Sequence, residues 1–245
     1  MNSVLFVGTS DAFGAGGRRQ SAYLLRGESG TVLLDCGATT LTGLSALGVE
    51  RDEIDLISIS HFHADHFSGI PSFILASTYE DRRKKPLFIA GPIGIEDRIR
   101  KASSILGHPI NDTNRNFQLK FIELVAGSHY SIGPATLTPF ATYHPPEVKP
   151  HGFVVSISKR QVAYSGDTGW FGELPSKVAG SDLFICECTQ VEPNYPYHLS
   201  LDELSDNSHQ SDCGRLILSH LGSAMRAQSE HRGFEIADDG LLVNL

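Results

Sequence analysis

Cysteine is scarce in this chain, and the four that occur suit neither a zinc ribbon nor a redox pair. Cys36, Cys186, Cys188 and Cys213 lie mostly in apolar, strand-like runs such as "VLLDC" and "LFICECT". Cys186 and Cys188 form C-x-C rather than C-x-x-C, with no second pair to complete a cysteine-zinc site. The expectation is buried free thiols in a reducing cytoplasm. Basic charge is also short: 20 Lys and Arg stand against 28 Asp and Glu, a net charge of −8. That balance argues against binding nucleic acid through bulk charge, although it permits a local basic patch. Long hydrophobic runs are missing too, so no membrane partner is expected. "MNSVLFVGTSDAFG" has no basic leader and only a short apolar run, and reads as a first strand rather than a signal peptide. Low-complexity linkers and composition breaks are absent, so residues 1–245 are expected to form one domain. Its 40% apolar and 20% charged residues are ordinary for a globular protein.

What the chain does have is strands. "SVLFVG", "SAYLLR" and "TVLLDCG" read as three successive strands with Gly-rich turns between them. "TTLTGLSALG" reads as a short helix closed by Gly48, and "IDLISIS" as a strand. A helix is expected to begin within "FSGIPSFILASTYEDRRKK", followed by the strand "PLFIAGP" and the helix "IGIEDRIRKASSILG". The second half repeats the style. "KFIELVAG", "ATLTPFATYH", "GFVVSIS", "QVAYSGDT", "DLFICECT", "RLILSH" and "GLLVNL" are expected strands, and "SLDELSDNS" a helix. "GHPINDTNRNFQ", residues 107–118, reads as a polar surface loop with a solvated His108. Two strand-rich halves with helices outside suggest two sheets packed face to face between helical layers.

The densest chemistry lies in "HFHADH", residues 61–66. His61 and His63 alternate, so in extended backbone they project to one side. Asp65 and His66 follow as the chain turns into a helix. Imidazole nitrogens mixed with a carboxylate suit zinc. One short motif cannot complete two coordination shells, so partners are sought at later strand ends, where a sheet holds side chains rigidly. Three are found: His144 after "ATLTPFATY", Asp167 after "QVAYSG", and His220 after "RLILS". A lone histidine after a strand is usually a surface or satisfied core residue. The argument rests on the pieces occurring in order.

With Asp35 in "LLDCG", these motifs make the sequence resemble the metallo-β-lactamase superfamily over nearly its whole length. The resemblance implies an α/β fold, a four-layer αββα sandwich, with a dinuclear metal site at one edge of the sheets. It implies that His61, His63 and His144 hold the first ion, that Asp65, His66 and His220 hold the second, and that Asp167 bridges both. Asp35 would brace the ligand loop. The ions would be two divalent metals, zinc foremost and manganese as the alternative.

"GTSDAFGAGGRRQSAYLL" and "ECTQVEPNYPYHLSLDEL" resemble ribonuclease Z and its smaller phosphodiesterase relatives. There an acidic "E-x-T" strand end precedes a His-Ser/Thr motif, here Glu187 to Thr189 and "HLS" at 198–200. By that resemblance His198 contacts the scissile phosphate and protonates the leaving oxygen. The alternative is a helix-entry residue before an N-cap Ser200. Ribonuclease Z carries a long tRNA-gripping arm between the motifs of His144 and Asp167, and only 22 residues separate them here. Arg18 and Arg19 could hold a phosphate or be solvated turn residues. The implied activity is a metal-dependent hydrolase using a metal-bridging hydroxide, with Asp65 and His198 as catalytic groups. A small phosphodiester or nucleotide-like substrate is favoured over tRNA. Hydrolysis of a lactone, thioester or β-lactam is the alternative. Relatives often form homodimers, so a dimer is a further expectation.

Overall fold

The computed structural model describes residues 2–111, 113–207 and 211–245. The chain runs β1 (Ser3–Gly8), β2 (Ala22–Gly27), β3 (Gly30–Leu34), α1 (Thr40–Ala46), β4 (Leu56–Ser58), α2 (Ala64–Phe67), α3 (Ile70–Tyr79), β5 (Leu87–Pro92), α4 (Ile95–Ile105) and β6 (Leu119–Leu124). It continues through β7 (Tyr130–Ile132), β8 (Ala135–Ala141), β9 (His151–Ile157), β10 (Arg160–Tyr164), α5 (Leu174–Val178), β11 (Leu183–Glu187), α6 (Leu201–Asn207), β12 (Leu216–Ser219), α7 (Ser223–Arg226), β13 (Glu235–Ile236) and β14 (Leu242–Asn244).

Among the described residues these form two seven-stranded sheets, in the orders β14-β1-β2-β3-β4-β5-β6 and β13-β12-β11-β10-β9-β8-β7. In each, antiparallel hairpins give way to parallel strands joined through helices. β1 shows why four layers form. Val4 and Phe6 point into a cluster shared with Leu137, Phe153, Val155 and Ile185 of the other sheet. Leu5 and Val7 point the opposite way, under Leu44 of α1, Phe73 of α3 and Ile99 of α4. Both faces are covered, so the strand is buried along its length and apolar from Val4 to Val7. The outer face of the second sheet is closed likewise by Leu174 and Val178 of α5, Leu201 and Leu204 of α6, and Met225 of α7. α4 buries Ile95, Ile99 and Ser103, one face at a spacing of four.

The expected two-halves arrangement needs one amendment. The C-terminal strand β14 returns to the first sheet, where Ser3 pairs with Asn244 antiparallel. β7, β13, α5 and α7 are not anticipated from sequence, because two to five residues are too few for a hydrophobic period to show. The loop after α4 is exposed at His108, as read; Asp112 within it, and Ser208 of the expected 200–208 helix, lie outside the described residues. Among the described residues no helix is long and apolar enough to cross a membrane. Cys36, Cys186 and Cys188 are buried, Cys213 is partly so, and all four are free.

Candidate metal centre

The strands that matter end at one edge of the sandwich. β3 runs into Asp35, β4 into His61 and His63, β10 into Asp167, and β12 into His220. Asp35 and His220 adopt left-handed backbone, with φ of 58° and 53°. Such turns are uncommon outside glycine, with Asp and His among the residues that tolerate them. The α2 turn packs tightly behind this edge: a Cβ on Gly37 would sit 1.9 Å from the Asp65 carbonyl oxygen, so only glycine fits. His144 lies three residues beyond β8, where Tyr143 bridges to Gly169 and brings the segment beside Asp167.

All seven residues singled out as ligands converge. His61, His63, His144 and Asp167 form one group, and Asp65, His66, Asp167 and His220 a second, each with its ligand atoms within 4.8 Å of one another. Asp167 belongs to both. His61 Nε2 and His144 Nε2 lie 3.0 and 3.1 Å from His63 Nδ1. His66 Nε2 lies 3.0 Å from Asp65 Oδ2 and 3.3 Å from Asp167 Oδ2, and His220 Nε2 lies 3.4 Å from Asp167 Oδ1. Six of the seven are buried, and His63 is partly exposed.

The far nitrogens are held by the protein. His66 Nδ1 donates to Asp35 Oδ2 at 2.7 Å, His144 Nδ1 to the Tyr197 carbonyl at 2.8 Å, and His220 Nδ1 to the Thr189 hydroxyl at 2.8 Å. His61 Nδ1 lies 2.9 Å from the Ser60 hydroxyl, which donates to Asp35. Asp35 also accepts from the Ser60 amide and the Tyr164 hydroxyl. It therefore orients His66 directly and His61 through Ser60, in agreement with the bracing role expected of it.

A divalent ion fits this geometry. His66 Nε2, His220 Nε2 and Asp167 Oδ1 are buried and have no hydrogen-bond partner among the described residues. Leaving a buried polar atom unsatisfied costs about 1–3 kcal/mol, and a cation would satisfy all three at once. The electrostatics agree. Burial opposes a charge on His66, but Asp167, Asp65 and Asp35 outweigh it and hold the imidazole well above its ordinary value. His220 is raised against burial by Asp167 and Asp65. Burial lowers His61, His63 and His144. Asp167 is held well below the usual carboxylate range, since His220, His66 and His61 overcome its burial. The carboxylates thus stay ionised and draw positive charge to the centre.

Beside the cluster a cavity of about 480 Å³ opens, lined in part by Phe13, Pro145, Tyr195 and His198. His198 stacks on His220, with ring centroids 5.5 Å apart and planes at 12°. Its Nδ1 donates to Glu187 Oε1 at 2.8 Å. Burial lowers its proton affinity, but the Glu187 carboxylate reverses that and pushes the pKa up to about 9. Glu187 is buried, and its other donors are the Thr168 and Thr189 amides and the Thr189 hydroxyl. The helix-entry reading describes the next residues correctly: the Ser200 hydroxyl accepts from the Glu203 amide at 3.2 Å while Glu203 Oε2 accepts from the Ser200 amide at 3.0 Å. The cap is Ser200, and His198 is left facing the cavity.

Sequence reasoning noted Glu187 as part of a motif but gave its carboxylate no task. A charge inside the apolar run "LFICECT" was the available signal. Neither Arg18 nor Arg19 lines the cavity, so the phosphate-holding role gains no support here. Arg18 pairs with Asp238, and Arg19 donates to the Val7 carbonyl at 2.7 Å and its amide to Asp239 at 2.9 Å, tying the β1–β2 loop to the C-terminal segment.

The same fold is found in the metallo-β-lactamase fold protein YhfI of Bacillus subtilis, which superposes with a TM-score of 0.80 over 100% of both chains at 22% identity. The ribonuclease Z of Metallosphaera sedula is 25% identical over 281 residues, covering 94% of this chain and 91% of that one. The ribonuclease Z of Lachnospira eligens is 32% identical over 160 residues, 65% of this chain; the matched part spans half of that protein's length. Fold, site and relatives together define a metal-dependent hydrolase of the metallo-β-lactamase fold. Within that class, the family model of the anti-Pycsar protein Apyc1 matches residues 2–237, and the chain belongs to that family.

Proposed function

We propose that this protein is a phosphodiesterase that acts on small, nucleotide-like diesters with two divalent ions, zinc foremost and manganese as the alternative. The observation that carries the reading is His198, held as a proton donor by buried Glu187 at the edge of the ligand cluster. A leaving alkoxide needs a proton, and a group that stays protonated at neutral pH can give one. In this reading His61, His63 and His144 hold one ion, Asp65, His66 and His220 the other, and Asp167 both. When bound, the ions would supply Lewis acidity, lowering the pKa of a water from 15.7 toward about 7 and offsetting charge on the phosphoryl oxygens.

The chain's own groups do the rest. In this reading Asp65, whose Oδ2 lies 3.0 Å from His66 Nε2 and 3.5 Å from His220 Nε2, orients the attacking water and accepts its proton. His198 gives its proton to the departing oxygen, and Glu187 then stabilises the correct tautomer for reprotonation. Asp35 and Ser60 keep the imidazoles in place. A phosphodiester is anionic and the protein carries −8, so the local positive charge of this centre is what admits the substrate.

The small size of the substrate is supported by the segment between His144 and Asp167. It holds a helical turn at Pro146–Val148 and the β9–β10 hairpin, which supports a reading without a tRNA-gripping arm there. The test is a parallel assay of metal-loaded protein, with metal content measured, on a model phosphodiester, a lactone, a thioester, a β-lactam and a precursor tRNA. Diester cleavage with poor trailer removal is expected. Preferred carbonyl hydrolysis, or efficient site-specific removal of a tRNA 3′ trailer, would overturn the reading.

A further inference from the structure

The core between the two sheets is apolar with two exceptions. Of the buried residues that form it, only Tyr23 and Tyr164 carry a polar side-chain group among the described residues. They are 0% and 1% exposed, so each hydroxyl needs a protein partner. Each finds it on the opposite sheet. Tyr23 stands on β2 of the first sheet, and its hydroxyl donates at 2.8 Å to that of Ser219, at the end of β12 in the second. Tyr164 ends β10 of the second sheet, and its hydroxyl donates at 2.7 Å to Oδ2 of Asp35, just beyond β3 in the first. The two bonds therefore cross the sandwich in opposite directions. The rings that carry them meet with centroids 5.0 Å apart and planes at 62°. Both bonds end beside the ligand cluster. Ser219 immediately precedes His220, Tyr164 lies three residues before Asp167, and Asp35 accepts from His66.

The ligand cluster depends on how the sheets are registered. His61, His63, Asp65 and His66 follow a strand of the first sheet, whereas His144, Asp167 and His220 follow strands of the second. Each of the two ligand groups draws on both sheets. A shift of one sheet against the other would open both groups at once, and such a site tolerates displacements of only about 0.5 Å. The apolar contacts in the rest of this core are non-directional, whereas a hydrogen bond has a preferred length and angle. We infer that Tyr23 and Tyr164 are positioning residues whose crossed hydroxyls hold the two sheets in the register at which the two halves of the ligand set meet. The inference rests on the ion positions proposed above. It goes beyond the bracing by Asp35 of His66 and Ser60, which all follow strands of the first sheet.

The test measures zinc affinity by chelator competition and the stability of the metal-free protein by chemical denaturation. It compares wild type, Tyr23→Phe, Tyr164→Phe, the double variant and Val155→Ala. Phenylalanine keeps the ring and removes only the hydroxyl. Each single variant should weaken zinc binding about 2- to 10-fold, the effect of losing one hydrogen bond. The double variant should lose more than the product of the two, because both bonds restrain one displacement. Val155→Ala, in the same core but without a polar group, should lose stability and keep wild-type affinity. Tyr23→Phe combined with Ser219→Ala removes both partners of one bond, so stability should recover in part while zinc binding stays weak. The inference is overturned if the tyrosine variants bind zinc as tightly as wild type, or if the double variant loses no more than the product. It is equally overturned if Val155→Ala weakens binding as much, or if Ser219→Ala restores affinity along with stability. Wild type that binds no divalent ion would overturn the ion positions and this inference together. Wild type that binds two ions beside unaffected variants would overturn the inference alone.

Discussion

Replacing His198 with alanine removes the proposed proton donor and the ring stacked on His220, while leaving in place all seven residues grouped around the two proposed ion positions. His198 takes part in neither of the two ligand groups that share Asp167. Its side chain is 17% exposed, so the truncation opens onto the cavity rather than into the core. Glu187 loses one partner but keeps the Thr168 amide, the Thr189 amide and the Thr189 hydroxyl. The cost to stability should therefore be about 1–3 kcal/mol, which a domain stable by about 5–15 kcal/mol survives. The cost to catalysis should be larger. General acid catalysis contributes about 10²–10⁴-fold, or roughly 3–5 kcal/mol of barrier at 1.36 kcal/mol per decade. That loss belongs to kcat for a diester with an alkyl leaving group. For a p-nitrophenolate, which departs without a proton, the loss should shrink. The assay is steady-state kinetics on the two esters, with elemental analysis showing two ions per chain before and after the mutation. Equal losses on both esters would mean that His198 binds the phosphate instead. No loss on either would refute the proton-donor argument and move the carbonyl-hydrolase reading ahead.

Asp167→Ala withdraws a carboxylate from both ligand groups, so elemental analysis should find both ions lost along with activity; retention of two ions would refute its bridging role. Glu187→Gln removes the charge that raises His198. The wild-type rate should fall as pH rises through about 9, because the acid form is then lost, and in the variant the same alkaline fall should move toward the ordinary histidine value of 6.5. An unmoved limb would assign it to another group. Asp35→Asn puts an amide where the Ser60 and Tyr164 hydroxyls and His66 Nδ1 all donate. It should cost about 3–5 kcal/mol in chemical denaturation and about 10- to 100-fold in metal affinity by chelator competition. A stable variant with unchanged affinity would show that the brace is dispensable.

Much of this centre was legible before any coordinates. "HFHADH" concentrates four candidate ligands of two types in six residues, and local backbone geometry alone brings them together. His144, Asp167 and His220 each end an apolar run, so their places at strand termini follow from pattern as well. The layers were legible because two strand-rich halves carry helices outside them, and runs such as Val4 to Val7 are apolar on consecutive residues, as a strand covered on both faces requires.

What pattern cannot supply is which distant residues meet. Glu187 was visible as a charge in a buried strand, but its pairing with His198 depends on a loop folding back over eleven positions. Asp35 reaches His66, Ser60 and Tyr164 only because β3, β4 and β10 end at the same edge. Arg18 and Arg19 had two readings in sequence, and their partners Asp238 and Asp239 lie at the opposite end of the chain. The return of β14 to β1 is likewise a pairing of termini. By itself the sequence determined the ligand residues' types, their spacing and the faces that must be buried, because these depend on local periodicity. The tertiary structure alone decided the hydrogen bonds behind the ligands, the proton affinity of His198 and the placement of Phe13 and Tyr195 beside one cavity, because each depends on contacts between segments that only the packed sheets bring within a few ångströms.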